Sequence, residues 1–289
     1  MLWLYLFIGS LLILAPITIW IIFFKNNTFK ILQKYESYIE KYSNKFKDFK
    51  YPVYYINLDK SIERRNQTEK ELSKITNNIT RIPAIDGSKI KNKFGDTVDS
   101  ISFKSDYDID NLKSIACTLS HIKAIHQAYN NGDNIAMICE DDIYTEPYKT
   151  SFSIEEIVDN APKNWEILQL HTGNIDIFKN LSMNELNYKK FEDKNWSFAS
   201  YLINRNGMKK ILQIVGYPYH IKYIDLNFPE HLVADVYIPN IVNTYTVLPF
   251  PFTVKIKGES TVQHGHVLDI HLPSLLKYYE YLLKNLKVI

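Results

Sequence analysis

The stretch from residue 114 to residue 142 constrains the fold more than any other. Ile115, Leu119, Ile122, Ile125 and Tyr129 recur at spacings that predict an amphipathic helix from Ser114 to Asn131. Asn131-Gly132 supplies its C-terminal stop. The apolar run Ile135-Ala136-Met137-Ile138-Cys139 follows at once and reads as a buried strand. That strand runs into Glu140-Asp141-Asp142. Side chains alternate along an extended chain, so Glu140 and Asp142 are expected on one face and Asp141 on the other. Two hard oxygen donors at the carboxyl end of a strand suit Mn²⁺ or Mg²⁺. The plainer reading of the triplet is a strand ending in an acidic turn.

The remaining pattern alternates in the same way. Pro52 opens a β-rich run, Val53 to Leu58, followed by a helix-like stretch from Lys60 to Ile75. A second strand, Ile79 to Ile85, closes on the turn pair Asp86-Gly87. Lys89 to Asp110 is polar and aperiodic and reads as a loop. Ser153-Ile154-Glu155-Glu156 fits a capping box opening a short helix. Strands are expected at Trp165 to Leu170, Phe198 to Ile203 and Thr244 to Leu248. Helices are expected at Asn206 to Val215 and Leu272 to Leu286, with an irregular polar stretch from Thr172 to Asn195. Pro249 and Pro251 break the chain after the last strand. Alternating strands and helices predict an α/β fold with a mostly parallel sheet covered on both faces. Its ligand belongs outside the carboxyl ends of the strands, at a topological switch point. Neither GxGxxG nor GKS/T occurs, which disfavours dinucleotide and P-loop folds.

The first fifty residues differ in kind. Leu2 to Phe24 carries no charge, and as a helix it reaches roughly 35 Å, enough to span a bilayer core. No small-x-small cleavage site follows it, so residues 1–25 are expected to be a retained transmembrane anchor. Residues 26–50 alternate Lys and Glu around Phe29, Leu32, Tyr35, Ile39, Tyr42 and Phe46, the pattern of a helical stem. The globular domain occupies 51–289. Lys25, Lys30 and Lys34 follow the span and no Lys or Arg precedes it, which places the globule in the cytoplasm. Sequons at Asn66, Asn78 and Asn195 leave a lumenal placement open. The net charge of +2, with no aromatic-interleaved basic stripe, argues against nucleic acid as a partner. Cys117 and Cys139 lie in apolar segments and read as reduced core residues.

Several residues are candidates for chemistry. Asn57, Asp59, Arg64 and Arg65 lie where a strand end, a turn and a helix start meet. Backbone N–H and guanidinium groups there suit an anion such as a diphosphate; solvated helix arginines are the plainer reading. Ser120-His121 sits on the helix before the acidic strand, and a lone helical His is more often structural. Asp235, within an apolar run, is either a desolvated base or a turn or cap residue. His264, with His266 and His271, either completes a metal site or lies in an exposed loop.

Taken in order, these segments resemble glycosyltransferase family 25, the lipooligosaccharide and procollagen galactosyltransferase-like enzymes. The matching stretches are Val53-Tyr54-Tyr55-Ile56-Asn57-Leu58-Asp59 with Glu63-Arg64-Arg65, and Arg81-Ile82-Pro83-Ala84-Ile85-Asp86-Gly87. They continue with Ala116-Cys117-Thr118-Leu119-Ser120-His121, Ile138-Cys139-Glu140-Asp141-Asp142, Tyr201 to Gly207, and Ser260-Thr261-Val262. Ala116 stands where the family usually has Gly, and residues 220–251, with Asp225 and Asp235, match poorly. The resemblance implies a GT-A-like α/β/α sandwich that binds a nucleotide sugar, such as a UDP-sugar, and transfers a hexose with inversion. The acceptor is a glycan, a lipid-linked glycan or a protein hydroxyl. On this reading Glu140, Asp142 and His264 hold the cation. Asn57, Asp59, Arg64, Arg65, Asp86, Gly87, Ser120 and His121 line the donor site. Asp235 is the base, with Asp141 as the alternative. An anchor suits a lipid-linked acceptor, or an enzyme fixed at a secretory or viral assembly membrane. A metal-dependent hydrolase and a catalytically silent glycan-binding protein are the rival readings.

Overall fold

The computed structural model describes residues 49–89, 109–145, 147, 152–178, 185–216, 233–254 and 278. The expected anchor, nearly all of the stem, most of the 89–110 loop, Asp225, the 260–262 element and His264, His266 and His271 lie outside them. So does the final helix, apart from Tyr278. Among the described residues no helix is long and apolar enough to cross a membrane.

The chain begins with β1 (Val53–Asn57), α1 (Ile62–Leu72), β2 (Ile79–Pro83), α2 (Ile109–Asn130) and β3 (Ile135–Glu140). After a short β4 (Ile143–Tyr144) come α3 (Ile154–Asp159), β5 (Ile167–Gln169), β6 (Asn187–Lys190), β7 (Ser200–Asn204) and α4 (Arg205–Val215). The last described elements are α5 (Ala234–Ile241), β8 (Thr244–Leu248) and β9 (Thr253–Val254). Seven of the described strands form one sheet in the order β2-β1-β3-β7-β5-β8-β6, and β4 pairs with β9 apart from it.

Most strands of the sheet run the same way, as expected, and two antiparallel strands make it mixed. β1 pairs parallel to β2 and to β3, and β5 pairs parallel to β8. β7 runs antiparallel to β3 and β5, and β6 antiparallel to β8. Five strands therefore point one way and two the other, so the sheet is mixed. The crossover from β1 through α1 to β2 moves one way along the sheet. The crossover from β2 through α2 to β3 moves the other way. The order reverses between β1 and β3, which is the topological switch point.

Strict alternation divides the core between the two faces. Tyr54, Ile56, Ala136, Ile138, Ile167, Tyr201 and Ile203 pack with Leu119, Ile122 and Ile125 of α2, Met208 and Ile211 of α4, and Ile238 of α5. Val53, Tyr55, Met137, Cys139, Leu168 and Leu202 pack with Leu72 of α1 and Ile154 and Ile157 of α3. The result is an α/β/α sandwich in which β3 is buried on both sides. Both cysteines are free.

Local chemistry sets the element ends. Ser153 caps α3 with the reciprocal Ser153–Glu156 box its sequence predicts. Asn204 caps α4, accepting from the Gly207 N–H at 2.9 Å, and Gly216 closes it at φ 67°. Three elements depart from the sequence reading. α2 begins at Ile109, inside the expected loop. β6 lies inside the stretch read as irregular. α5 forms in the apolar run around Asp235, where no element was expected, and Asp235 sits in its first turn.

Candidate functional site

The carboxyl ends of β1 and β3 flank the switch point, and a cleft of about 390 Å³ opens there. Asn57, Lys60, Arg64, Asp86, Gly87, Ser120, His121, Glu140 and Asp141 line it, with Lys113 and Cys117. Residues far apart in the chain thus meet because two parallel strands end side by side.

The sheet divides this site into two halves. On the α1 side the organiser is Asn57, 1 % exposed. Its Nδ2 donates to Asp141 Oδ2 at 2.6 Å and to the Ser61 carbonyl at 3.1 Å. Its Oδ1 accepts from Arg65 Nε at 3.2 Å and from Arg81 Nε at 3.1 Å. The partners fix the orientation of the amide: two cationic donors face its oxygen and a carboxylate faces its nitrogen. Arg81 also donates to the Asn57 carbonyl at 3.0 Å and to Asp59 Oδ1 at 2.5 Å. Asp59 is thereby held well ionised. Arg64 donates to Asp141 Oδ1, and its Nη2 lies 3.9 Å from Asp142 Oδ2. Thr68 Oγ ties the Asp141 carbonyl to α1 at 2.6 Å.

On the α2 side, Glu140 continues the face of Ala136 and Ile138. Its Oε1 lies 3.4 Å from His121 Nε2 and 3.9 Å from Cys117 Sγ. His121 is fully buried, and its Nδ1 is 3.2 Å from the Tyr201 hydroxyl. The Ser120 hydroxyl donates to the Ala116 carbonyl at 2.6 Å and accepts from the Ile85 N–H at 2.9 Å. It pins the segment carrying Asp86 and Gly87 against α2. Asp86 in turn pairs with Lys60 at 2.9 Å.

Strand alternation does not place Asp142, because β3 ends at Glu140 and Asp141-Asp142 form the following turn. Asp141 goes to the α1 side, as alternation from Glu140 requires, and Asp142 also approaches Arg64. The Asp141 carboxyl is pushed up by burial against the opposing pull of Arg64 and Asn57. The Asp142 carboxyl is pushed up to about 7 by burial and then by Glu140, with Arg64 opposing. Its side chain keeps 35 % exposure, which moderates the burial contribution. Asp235 is not among the residues that line the cleft but is near enough to Glu140 to feel its charge. Its Oδ1 accepts from the Phe198 N–H at 2.9 Å, and burial followed by Glu140 raises its carboxyl.

Residues 50–226 match the family model for glycosyltransferase family 25, described as LPS biosynthesis proteins. The chain belongs to glycosyltransferase family 25. Glycosyltransferase activity, a nucleotide-sugar donor and a glycan acceptor follow from that membership. No curated protein matches the sequence.

The donor set of this family 25 chain fits a divalent cation. Among the described residues Asp142 Oδ1 is buried without a hydrogen-bond partner, and Glu140 is close enough to raise its carboxyl. Arg81, Lys60 and Lys113 carried no functional assignment from sequence, and Cys117 was read as a core residue. Arg81 sits in β2, where a half-buried strand arginine gives no signal until its partner Asn57 is known. Cys117 stands four residues before His121, a spacing that places both on one helix face.

Proposed function

We propose that the chain transfers a hexose from a nucleotide sugar to an acceptor hydroxyl on a glycan, a lipid-linked glycan or a protein, with inversion and with help from a divalent cation. The observation that carries this reading is the cleft at the switch point, lined by the cationic Arg64, Lys60 and Lys113 and by the acidic Glu140 and Asp141, with Asp142 next in the chain. Departure of a nucleoside diphosphate leaves negative charge on the phosphate oxygens. Preorganised cations stabilise that charge best in a partly desolvated site. Glu140 and Asp142 would hold Mn²⁺ or Mg²⁺, which neutralises the leaving group further.

In the reaction the bond from the anomeric carbon to the diphosphate breaks and a bond to the acceptor oxygen forms. The hydroxyl proton passes to a carboxylate. Asp235 is our choice for that base, since burial raises its proton affinity and Glu140 is near enough to add to the rise. The Asn57 hub supports the reading from the other side, because it orients Arg65, Arg81 and Asp141 together. A membrane anchor in residues 1–25, which brings the domain to lipid-linked acceptors, belongs to the same proposal.

Asp142→Ala tests the cation assignment. The variant is expected to fold with an unchanged circular dichroism spectrum and to lose Mn²⁺-stimulated transfer from a panel of nucleotide sugars. Turnover near that of the parent would remove Asp142 from the cation site.

A further inference from the structure

We propose that Cys117, His121 and Glu140 form a second cation site, selective for a borderline metal such as Zn²⁺ over Mg²⁺ or Mn²⁺. This goes beyond the glycosyl-transfer reading, whose cation rests on Glu140 and Asp142, and shares only Glu140 with it.

Cys117 and His121 are one turn apart on α2 and face the end of β3, where Glu140 stands. One ligand atom from each lies within 4.8 Å of the other two. The separations suit a shared ion better than direct hydrogen bonds. A charge-assisted N–H···O bond is about 2.7–2.9 Å long, whereas His121 Nε2 and Glu140 Oε1 are 3.4 Å apart. Cys117 Sγ is 3.9 Å from the same oxygen. Around tetrahedral zinc, with bonds of about 2.0–2.3 Å, neighbouring ligand atoms are roughly 3.3–3.7 Å apart. A modest side-chain adjustment closes that geometry.

The surroundings match those of a built metal site. The Tyr201 hydroxyl, 3.2 Å from His121 Nδ1, is placed to orient the imidazole so that Nε2 points at Glu140. Tyr201 is itself stacked on Phe198, with ring centroids 4.1 Å apart, and both are fully buried. Cys117 and Glu140 line the cleft, so a fourth position opens to solvent or substrate. The sulfur–nitrogen–oxygen set selects by softness: thiolate and imidazole favour Zn²⁺ and Co²⁺, whereas Mg²⁺ and Mn²⁺ prefer all-oxygen sites. An ion held here engages Glu140 and so competes for a carboxylate that the transfer site uses.

Cobalt titration of the 289-residue chain tests this by absorbance. The expected result is saturation at one Co²⁺ per chain, with thiolate-to-cobalt charge-transfer absorption in the near ultraviolet. Cys117→Ser is expected to abolish that band with an unchanged circular dichroism spectrum. Zn²⁺ should displace the cobalt and millimolar Mg²⁺ should not. Asp142→Asn should retain the band. Absence of the band in the parent overturns the proposal, as does a band of equal strength in Cys117→Ser. Loss of cobalt binding in Asp142→Asn as complete as in Cys117→Ser would move the ion to the acidic triplet. Nucleotide-sugar binding, followed separately by thermal shift, reports on the transferase reading whichever way the cobalt result falls.

Discussion

The Asn57 side chain makes four hydrogen bonds, to Asp141, Ser61, Arg65 and Arg81. Its amide is matched to its neighbours atom by atom, so even an isosteric change disturbs it. In Asn57→Asp an acceptor oxygen replaces the NH₂ group 2.6 Å from Asp141 Oδ2. A buried polar group left without its partner costs about 1–3 kcal/mol, and chemical denaturation should show a loss of at least that size. The same variant should bind a nucleotide sugar more weakly, because Arg64 and Asp141 lose their reference point. Asp142 governs pH dependence at this scale. Its carboxyl is raised to about 7 in the fold, by burial and then by Glu140, against about 3.9 in an unfolded chain. The fold therefore favours the protonated form. The resulting stability is fully present below pH ~3.9 and is lost as pH rises through about 7. Melting in EDTA should show the midpoint falling across that window, and Asp142→Asn should flatten the fall. With saturating Mn²⁺ the parent's slope should weaken, since the cation favours the ionised form.

α4 shows how one position sets the seat of an element. Gly207 lies in its first turn, and a Cβ there would meet the Glu166 carbonyl oxygen at 2.8 Å. Helix propensity favours Ala over Gly by about 1 kcal/mol. The contact is with backbone, which cannot swing aside, so the clash outweighs propensity. Gly207→Ala is expected to lower the melting temperature, and a rise would show that α4 can shift without cost. Legibility from sequence followed the same physics at this scale. β8 and the α3 capping box were readable because their signals are local: a bounded β-rich run and a four-residue cap. α2 was placed correctly but begun late, since Ile109-Asp110-Asn111-Leu112-Lys113 looks like polar loop. β6 was unreadable because Asn187-Tyr188-Lys189-Lys190 is an edge strand that needs no apolar alternation. α5 carries Pro239 inside it and a Val at its N-cap, both misleading signals. At the site, the triplet, Arg64 and the Ser-His pair were legible as residue types in order along the chain. Their division between two faces was not. It depends on β3 ending at Glu140 and on which helix covers each face.

Over the whole molecule, β7 joins two sets of strands. On one side β2, β1 and β3 lie parallel; on the other β5 and β8 run parallel to each other. β7 runs antiparallel between them, and the Glu140 N–H donates to the Ala199 carbonyl at 2.9 Å, just before β7 begins. The outermost strands, β2 and β6, keep partly exposed and polar residues. β3 is of the opposite kind: Ala136, Met137, Ile138 and Cys139 are all fully buried. During synthesis β3 leaves the ribosome some sixty residues ahead of β7. Until β7 arrives, an apolar strand stands with one row of backbone groups open, the template that recruits other chains. A fragment of residues 49–178 should therefore self-associate in light scattering more strongly than one of residues 49–289, both lacking the apolar segment 2–24. A monodisperse fragment would show that something else shields β3. Among the described elements, β3, the strand that ends in Glu140, is on this account an aggregation hazard of the nascent protein, and β7 acts first as its guard.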